Sequence, residues 1–179
     1  YNLTFAARGT TTFADAASVT GTFSVTEPGS VTVFAAGETY SFADIDWQGD
    51  SSDSVTLRSS NSGTQWDLDL TSVEVVSYVD VRDSNACTGA SVYYRSSTVS
   101  NTDCWIADGT RTLSGTVFAD EGSTSVGAGQ DLFLVVATSS NPARYALATD
   151  GSGEYTTDAV YLSDLTVAGG VVVYAHGTT

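Results

Sequence analysis

Apolar and polar side chains alternate one by one over most of this chain, and the three-to-four-residue recurrence of an amphipathic helix is nearly absent. That period of two is the signature of half-buried strands. In "SVTGTFSV", Val19, Gly21, Phe23 and Val25 fall on one face while Thr20, Thr22 and Ser24 fall on the other. "EPGS" follows as a Pro-Gly turn and "VTVFAA" resumes the alternation, so Ser18 to Ala36 predicts a β-hairpin. Further strands are predicted in "ETYSFADIDW", "SVTLRS", "QWDLDLTSVEVVSYVDV", "SVYYRSS", "TRTLSGTVFA", "DLFLVVATS", "AVYLSDLTVA" and "GVVVYAH". In "DLFLVV" and "GVVVYA" both faces are apolar, as in central strands covered on two sides. One helical turn is predicted at "NPARYAL", with Asn141 as cap and Pro142 at the first helical position. Strands this short and numerous predict an all-β, two-sheet antiparallel β-sandwich or jelly roll with an extended N-terminal strand. Residues 1–12 read as that strand and 13–179 as a single domain.

Composition sharpens this picture. The 179 residues carry a net charge of -15, from six Arg without Lys against 21 Asp and Glu. Such a field repels phosphate backbones and anionic head groups, which argues against nucleic acid or an acidic membrane as partner. No apolar run has the length of a membrane helix, so membrane insertion is not expected. The start lacks the basic and apolar regions of a signal peptide, and Tyr1 reads as a processed N-terminus. Cys87 and Cys104 are the only cysteines, and neither belongs to a CxxC pair. The expectation is one disulfide, worth roughly 3 kcal/mol on the chain-entropy estimate, in a protein outside the cytoplasm. Asn2 opens the glycosylation sequon Asn2-Leu3-Thr4.

Candidate chemistry is sparse. A Ser-His-Asp triad needs an imidazole, and the single histidine is His176, close to the C-terminus with no G-x-S-x-G elsewhere. Glycoside hydrolysis needs two carboxylates across a groove. Glu27, Glu38, Glu74, Glu121 and Glu154 are isolated from one another in sequence. An enzyme is therefore not expected. The best small-site candidate is "DIDWQGDSSDS", which gathers Asp44, Asp46, Asp50 and Asp53; calcium takes six to eight oxygens, and the competing reading is a solvated acidic rim. Asp80 with Asp83 and Asp150 with Glu154 are weaker cases. No cofactor is required, and calcium is the one candidate ion. Trp47, Trp66 and Trp105 could offer a stacking platform for sugar, although the alternation of Trp66 with Leu68 and Leu70 already fits core packing.

The first segment, "YNLTFAARGTTTF", is a ready-made strand with Leu3, Phe5 and Ala7 alternating. An extended segment of this kind can pair within its own sheet, or add to the sheet edge of a neighbour and fill pockets there with its alternate side chains. A head-to-tail contact of the second kind generates an open filament unless rotation closes a ring. With its unled strand, abundant Ser and Thr (50 residues) and sandwich-like strand series, the layout resembles the archaeal extracellular filament subunits: threads, bundling pili and tube-forming cannula proteins. That resemblance implies a structural subunit of an extracellular filament or tube, joined to copies of itself in a head-to-tail homopolymer by the donated strand. It also implies calcium as a candidate at subunit contacts. The alternative is an extracellular carbohydrate-binding module or surface adhesin, and a viral shell component is a third reading.

The acidic, Lys-free balance suits a salty medium, in which ions screen self-repulsion. Melting temperature is expected to rise from dilute buffer to molar salt; a value that does not move would contradict this.

Overall fold

The structure, a computed structural model, describes residues 1–120, 122, 124–137, 143–158, 160–161, 163 and 170–175. The chain divides into two compact units, Tyr1–Asp108 and Gly109–Thr179.

The first unit contains twelve strands: β1 (Leu3–Phe5), β2 (Thr10–Thr12), β3 (Ala17–Val25), β4 (Val31–Phe34), β5 (Thr39–Trp47), β6 (Val55–Ser59), β7 (Trp66–Leu70), β8 (Glu74–Ser77), β9 (Val79–Asn85), β10 (Val92–Arg95), β11 (Thr98–Asp103) and β12 (Trp105–Ala107). Each pairs with a strand of the next coil, and every ladder is parallel. One sheet runs β1-β3-β5-β7-β9-β6-β4-β2, with β11 also on β9, and a second runs β12-β10-β8. This is a parallel β-solenoid, which corrects the antiparallel sandwich or jelly roll expected from the alternation.

The error has a plain cause. Alternation reports which side of a strand is buried, and a solenoid face has one buried and one wet side just as a sandwich strand does. Direction is decided by the corners. Between β3 and β4, the Pro28-Gly29 corner does not fold the chain back. The Ser30 amide donates to Glu27 O within the corner (3.2 Å), whereas the Gly29 amide donates onward to Ser54 O (3.3 Å) in the following coil. Gly29 has φ of +75°, a conformation that favours glycine, and the guanidinium of Arg8 lies against it. β3 and β4 are accordingly not paired: Phe23 lies against Ile45, and Thr32 against Leu57.

Later corners are built differently. In the β8–β10 and β9–β11 ladders, partners lie 18 positions apart, as in Glu74 with Val92 and Asp80 with Thr98. Tyr78 and Ser96 occupy equivalent bends with φ of 50° and 46°; Asp83 and Asn101 do the same with 55° and 48°. Left-handed backbone at a residue with a side chain is uncommon, and it persists where neighbouring contacts hold it. Here the Asn101 side-chain amide donates to Asp83 Oδ1 (2.6 Å), and the Tyr78 amide donates to Arg95 O (3.1 Å).

Parallel register superimposes like on like inside the coils. Tyr40 stacks with Leu68, Phe42 with Leu70, and Leu57 with Val81, all buried. The interior is aromatic toward its N-terminal coils. Phe13 lies parallel to Phe34 at 5.5 Å, and Phe34 lies parallel to Trp66 at 4.0 Å, while Trp47 meets Phe23 edge-on at 5.7 Å. Offset and edge-to-face contacts of this kind add to what area burial supplies. Outward positions carry Ser, Thr, Asp and Arg, and Arg58 bridges to Asp80 on the next coil at 3.0 Å.

The second unit, taken by itself, is antiparallel. β13 (Thr110–Arg111) pairs with β18 (Val160–Tyr161), and β14 (Ser114–Thr116) pairs with β17 (Glu154–Thr156). β15 (Asp131–Ala137) lies between β16 (Ala143–Ala148) and β19 (Gly170–Ala175). The both-face apolar run "DLFLVV" is a central strand, with Leu132 buried, whereas "GVVVYA", expected to be central too, is an end strand of this sheet among the described residues. The helical turn expected at "NPARYAL" is corrected. Residues 143–147 are strand, paired with β15, while Asn141 and Pro142 lie outside the described residues.

Phe34 sits between the rings of Phe13 and Trp66 with no exposed surface. Phe34→Ala is expected to lower unfolding free energy in urea by about 4 kcal/mol. A loss below about 1 kcal/mol would contradict the stack.

Candidate assembly edge

The terminal coil is formed by the segment that the alternation had singled out. β1 is hydrogen-bonded within its own chain, in parallel with the second half of β3: Leu3 with Phe23, Thr4 with Ser24, Phe5 with Val25. The arm expected to reach a neighbour is thus the first coil of its own solenoid in this structure. Leu3 and Phe5 are half-buried against the core, with the Phe5 ring edge-on to Phe23 at 5.1 Å. Ala7 is exposed. β2 pairs with β4, and Phe13 closes the coil between the rings of Phe5 (5.8 Å) and Phe34 (5.5 Å).

β1 and β2 end the path of the large sheet, each with one paired strand. β1 is shorter than β3, so its register ends at Phe23 and leaves Ala17–Val19 with a sheet neighbour on the β5 side alone among the described residues. A slot of about 370 Å³ lies there, lined by Tyr1, Asn2, Leu3 and Ala17–Thr20. It adjoins a shallower depression of about 240 Å³ bounded by Ser18–Thr20, Ser41–Ala43 and Thr71.

Close backbone approach sets the rim. The Gly21 amide donates to Tyr1 O (3.1 Å), and the Thr22 amide donates to Asn2 Oδ1 (3.0 Å). A Cβ at Gly21 would lie 2.2 Å from Asn2 Oδ1, so glycine is what lets the first coil sit down at this point. The terminal ammonium of Tyr1 donates to Thr20 Oγ1 (3.0 Å), and the Tyr1 side chain is fully exposed. Asn2, the sequon residue, is exposed with its Oδ1 engaged as described.

The acidic loop does not converge. Asp44 accepts from Thr22 Oγ1 (2.7 Å), and Asp46 is exposed on the outer face of β5. Asp50 accepts the amides of Ser52 and Asp53 (2.8 Å each); the Asp53 amide first and the Ser52 amide second hold its carboxyl below the usual range. Asp53 pairs with Arg8 of the first coil. Among the described residues, no three His, Cys, Asp or Glu side chains are grouped to hold a metal ion. Strand alternation and the turn keep the four carboxylates considered for calcium apart: Asp44, Asp50 and Asp53 have separate partners, and Asp46 is exposed on the outer face of β5. The other pairs have local partners too. Asp80 takes Arg58 and Arg82, Asp83 takes Asn101, and Asp150 caps its own turn by accepting the Ser152 and Glu154 amides.

Trp47 and Trp66 are buried, so the sugar platform loses both rings; Trp105 is half-buried, its Nε1 donating to Ser84 Oγ (3.1 Å). His176 and Glu121 lie outside the described residues. Cys87 and Cys104 form the expected disulfide. It follows β9 and β11, two strands in parallel register, and so staples one coil to the next.

Compared with protein-family models, curated proteins and solved structures, the chain matches none. Among the described residues no helix is long and apolar enough to cross a membrane.

Reduction of the Cys87–Cys104 bridge is expected to lower unfolding free energy by roughly 3 kcal/mol, read from urea titrations with and without reductant. Coincident curves would show that the staple is dispensable.

Proposed function

We propose that this chain is a structural subunit of an extracellular filament or tube, in which copies meet head to tail at the first coil. The observation that carries the reading is the slot along Ala17–Thr20, where β3 outruns β1 and exposes strand edge beside half-buried apolar side chains. Backbone groups on such an edge are a template for a further strand, and alternate side chains of that strand would land on Leu3, Ala17 and Val19. In this reading the joint is strand addition at the edge of the solenoid; Leu3, Ala17 and Val19 form the receiving floor, and β1 stays in its own chain.

The disulfide is compatible with an oxidising, extracellular setting, and the acidic surface fits a medium rich in salt. Parallel coils suit a polymer because the end of one copy offers the same backbone spacing as the interior of the next. The buried positions of Trp47 and Trp66 weigh against the carbohydrate-binding alternative.

Sedimentation velocity and negative-stain images of the purified chain at micromolar concentration are expected to show linear or tubular polymers. Ala17→Asp, which places a carboxylate on the slot floor, is expected to reduce elongation at least about tenfold while circular dichroism stays unchanged. A monodisperse single particle for the unsubstituted chain would overturn the reading.

A further inference from the structure

One cluster of ionisable and hydroxyl groups lies away from the proposed joint and has no part in it. Glu74 opens β8, which lies between two neighbours. The continuation of β5 reaches it through the Gln48–Ser77 bridge, and β10 pairs with it along Val92–Arg95. The Glu74 amide donates to Ser91 O (3.1 Å), and the side chain turns toward β5. There Ser72 Oγ lies 2.6 Å from Glu74 Oε1 and 2.9 Å from Ala43 O, while Thr71 Oγ1 also donates to Ala43 O (2.9 Å). Asp44, next to Ala43, lies within hydrogen-bond reach of the Glu74 carboxyl and takes Thr22 Oγ1 on its own second oxygen.

Proton counting decides what this arrangement can do. Ser72 has one hydroxyl proton and two oxygen neighbours. If Glu74 is ionised, that proton goes to Glu74, the Ser72 bond to Ala43 O is lost, and two carboxylates face each other. If Glu74 carries a proton, it can donate toward Ser72 or Asp44, and the hydroxyls of Ser72 and Thr71 both serve the Ala43 carbonyl. Only the second arrangement satisfies every short contact at once.

We propose that Asp44 and Glu74 act as a proton-sharing carboxyl pair that fastens β5 to the head of β8, and that loss of the shared proton slackens this fastening. The groups flanking Glu74 leave Asp44 as the charge that bears on it. From β10 come Ser91 and Val92, from the preceding corner Thr71 and Ser72, and Arg95 at the far end of β10 is engaged with Asp108 (2.5 Å). Burial, followed by the Asp44 charge and against the pull of Ser72, pushes the Glu74 carboxyl up to about 7 from 4.5.

The sign follows from linkage. Because the folded state binds this proton more tightly than the unfolded state, the contribution is complete below about pH 4.5 and is lost as pH rises through about 7. A pair near the surface is partly screened, so the expected loss is roughly tenfold in the folding equilibrium constant.

The test compares urea unfolding of the wild type and Glu74→Gln at steps from pH 4.5 to 8.5, at fixed high salt, beside a carbon-13 NMR titration of the Glu74 carboxyl in the wild type. The wild type is expected to lose about tenfold more of its folding equilibrium constant over that range than Glu74→Gln, whose amide cannot ionise. The Glu74 signal is expected to titrate near neutrality and to move to lower pH in Asp44→Asn. A Glu74 midpoint in the ordinary carboxylate range, or equal pH slopes in wild type and Glu74→Gln, would overturn the proposal; the NMR reading holds even if a variant fails to fold. Neither result bears on polymer formation.

Discussion

Parallel register is the constraint on which the first unit depends. A strand that lies beside its counterpart in the next coil brings equivalent side chains to the sheet spacing of about 4.8 Å, and the interior becomes a set of columns. Each column must be filled by residues that tolerate like neighbours. Tyr40 over Leu68, Phe42 over Leu70 and Thr32 over Leu57 over Val81 meet that demand with aromatic, aliphatic and, once, hydroxyl side chains. Where two coils differ in length the column is preserved by a local irregularity. The register of β3 on β5 shifts between Val19 and Thr22, so that Phe23 and Val25 still meet Ile45 and Trp47. Among the described residues, the buried side-chain atoms without a hydrogen-bond partner, Ser30 Oγ, Thr32 Oγ1, Trp47 Nε1 and Trp66 Nε1, all belong to this interior, where packing takes precedence over polar satisfaction.

Columns explain why the corners are where the sequence becomes particular. A face of the solenoid asks only for alternation, but a corner must turn the chain and stay in phase with the corner above. Gly29 does so by lying under Arg8, whose guanidinium continues to Asp53 in a later coil. The later coils use left-handed Tyr78, Asp83, Ser96 and Asn101 instead, each aligned with its counterpart, and the disulfide follows directly. Edges then arise wherever coils differ in strand length. The slot beside Ala17–Thr20 is such a place, which is why the proposed joint falls there and not on a flat hydroxyl-covered face.

The alternation at β3, β5 and β7 made their buried faces legible in advance: Phe23, Val25, Tyr40, Phe42, Trp66 and Leu68 are all in the core. Strand direction was not legible, since Pro28-Gly29 has the composition of a hairpin turn and acts as a corner. The break between β8 and β9 was missed because Tyr78 is an aromatic residue in a run of Val, with nothing to mark a left-handed bend. The cysteine pairing was legible by number alone. The acidic loop misled because four Asp within ten residues look convergent on paper, whereas Asp44 and Asp46 lie on a strand and Asp50 and Asp53 in a turn. Glu74 was invisible as a partner of Asp44, because their proximity exists only once β5 and β8 lie on adjacent coils.

Strand direction is therefore the point on which everything else turns. Backbone NMR of the labelled chain measures it most directly. Parallel coils predict interstrand contacts linking the backbones of Thr32 with Leu57 and of Leu57 with Val81, the columns of the β4, β6 and β9 ladder. Short Hα–Hα contacts between residues 18–25 and 31–36, the mark of an antiparallel hairpin, would contradict the account.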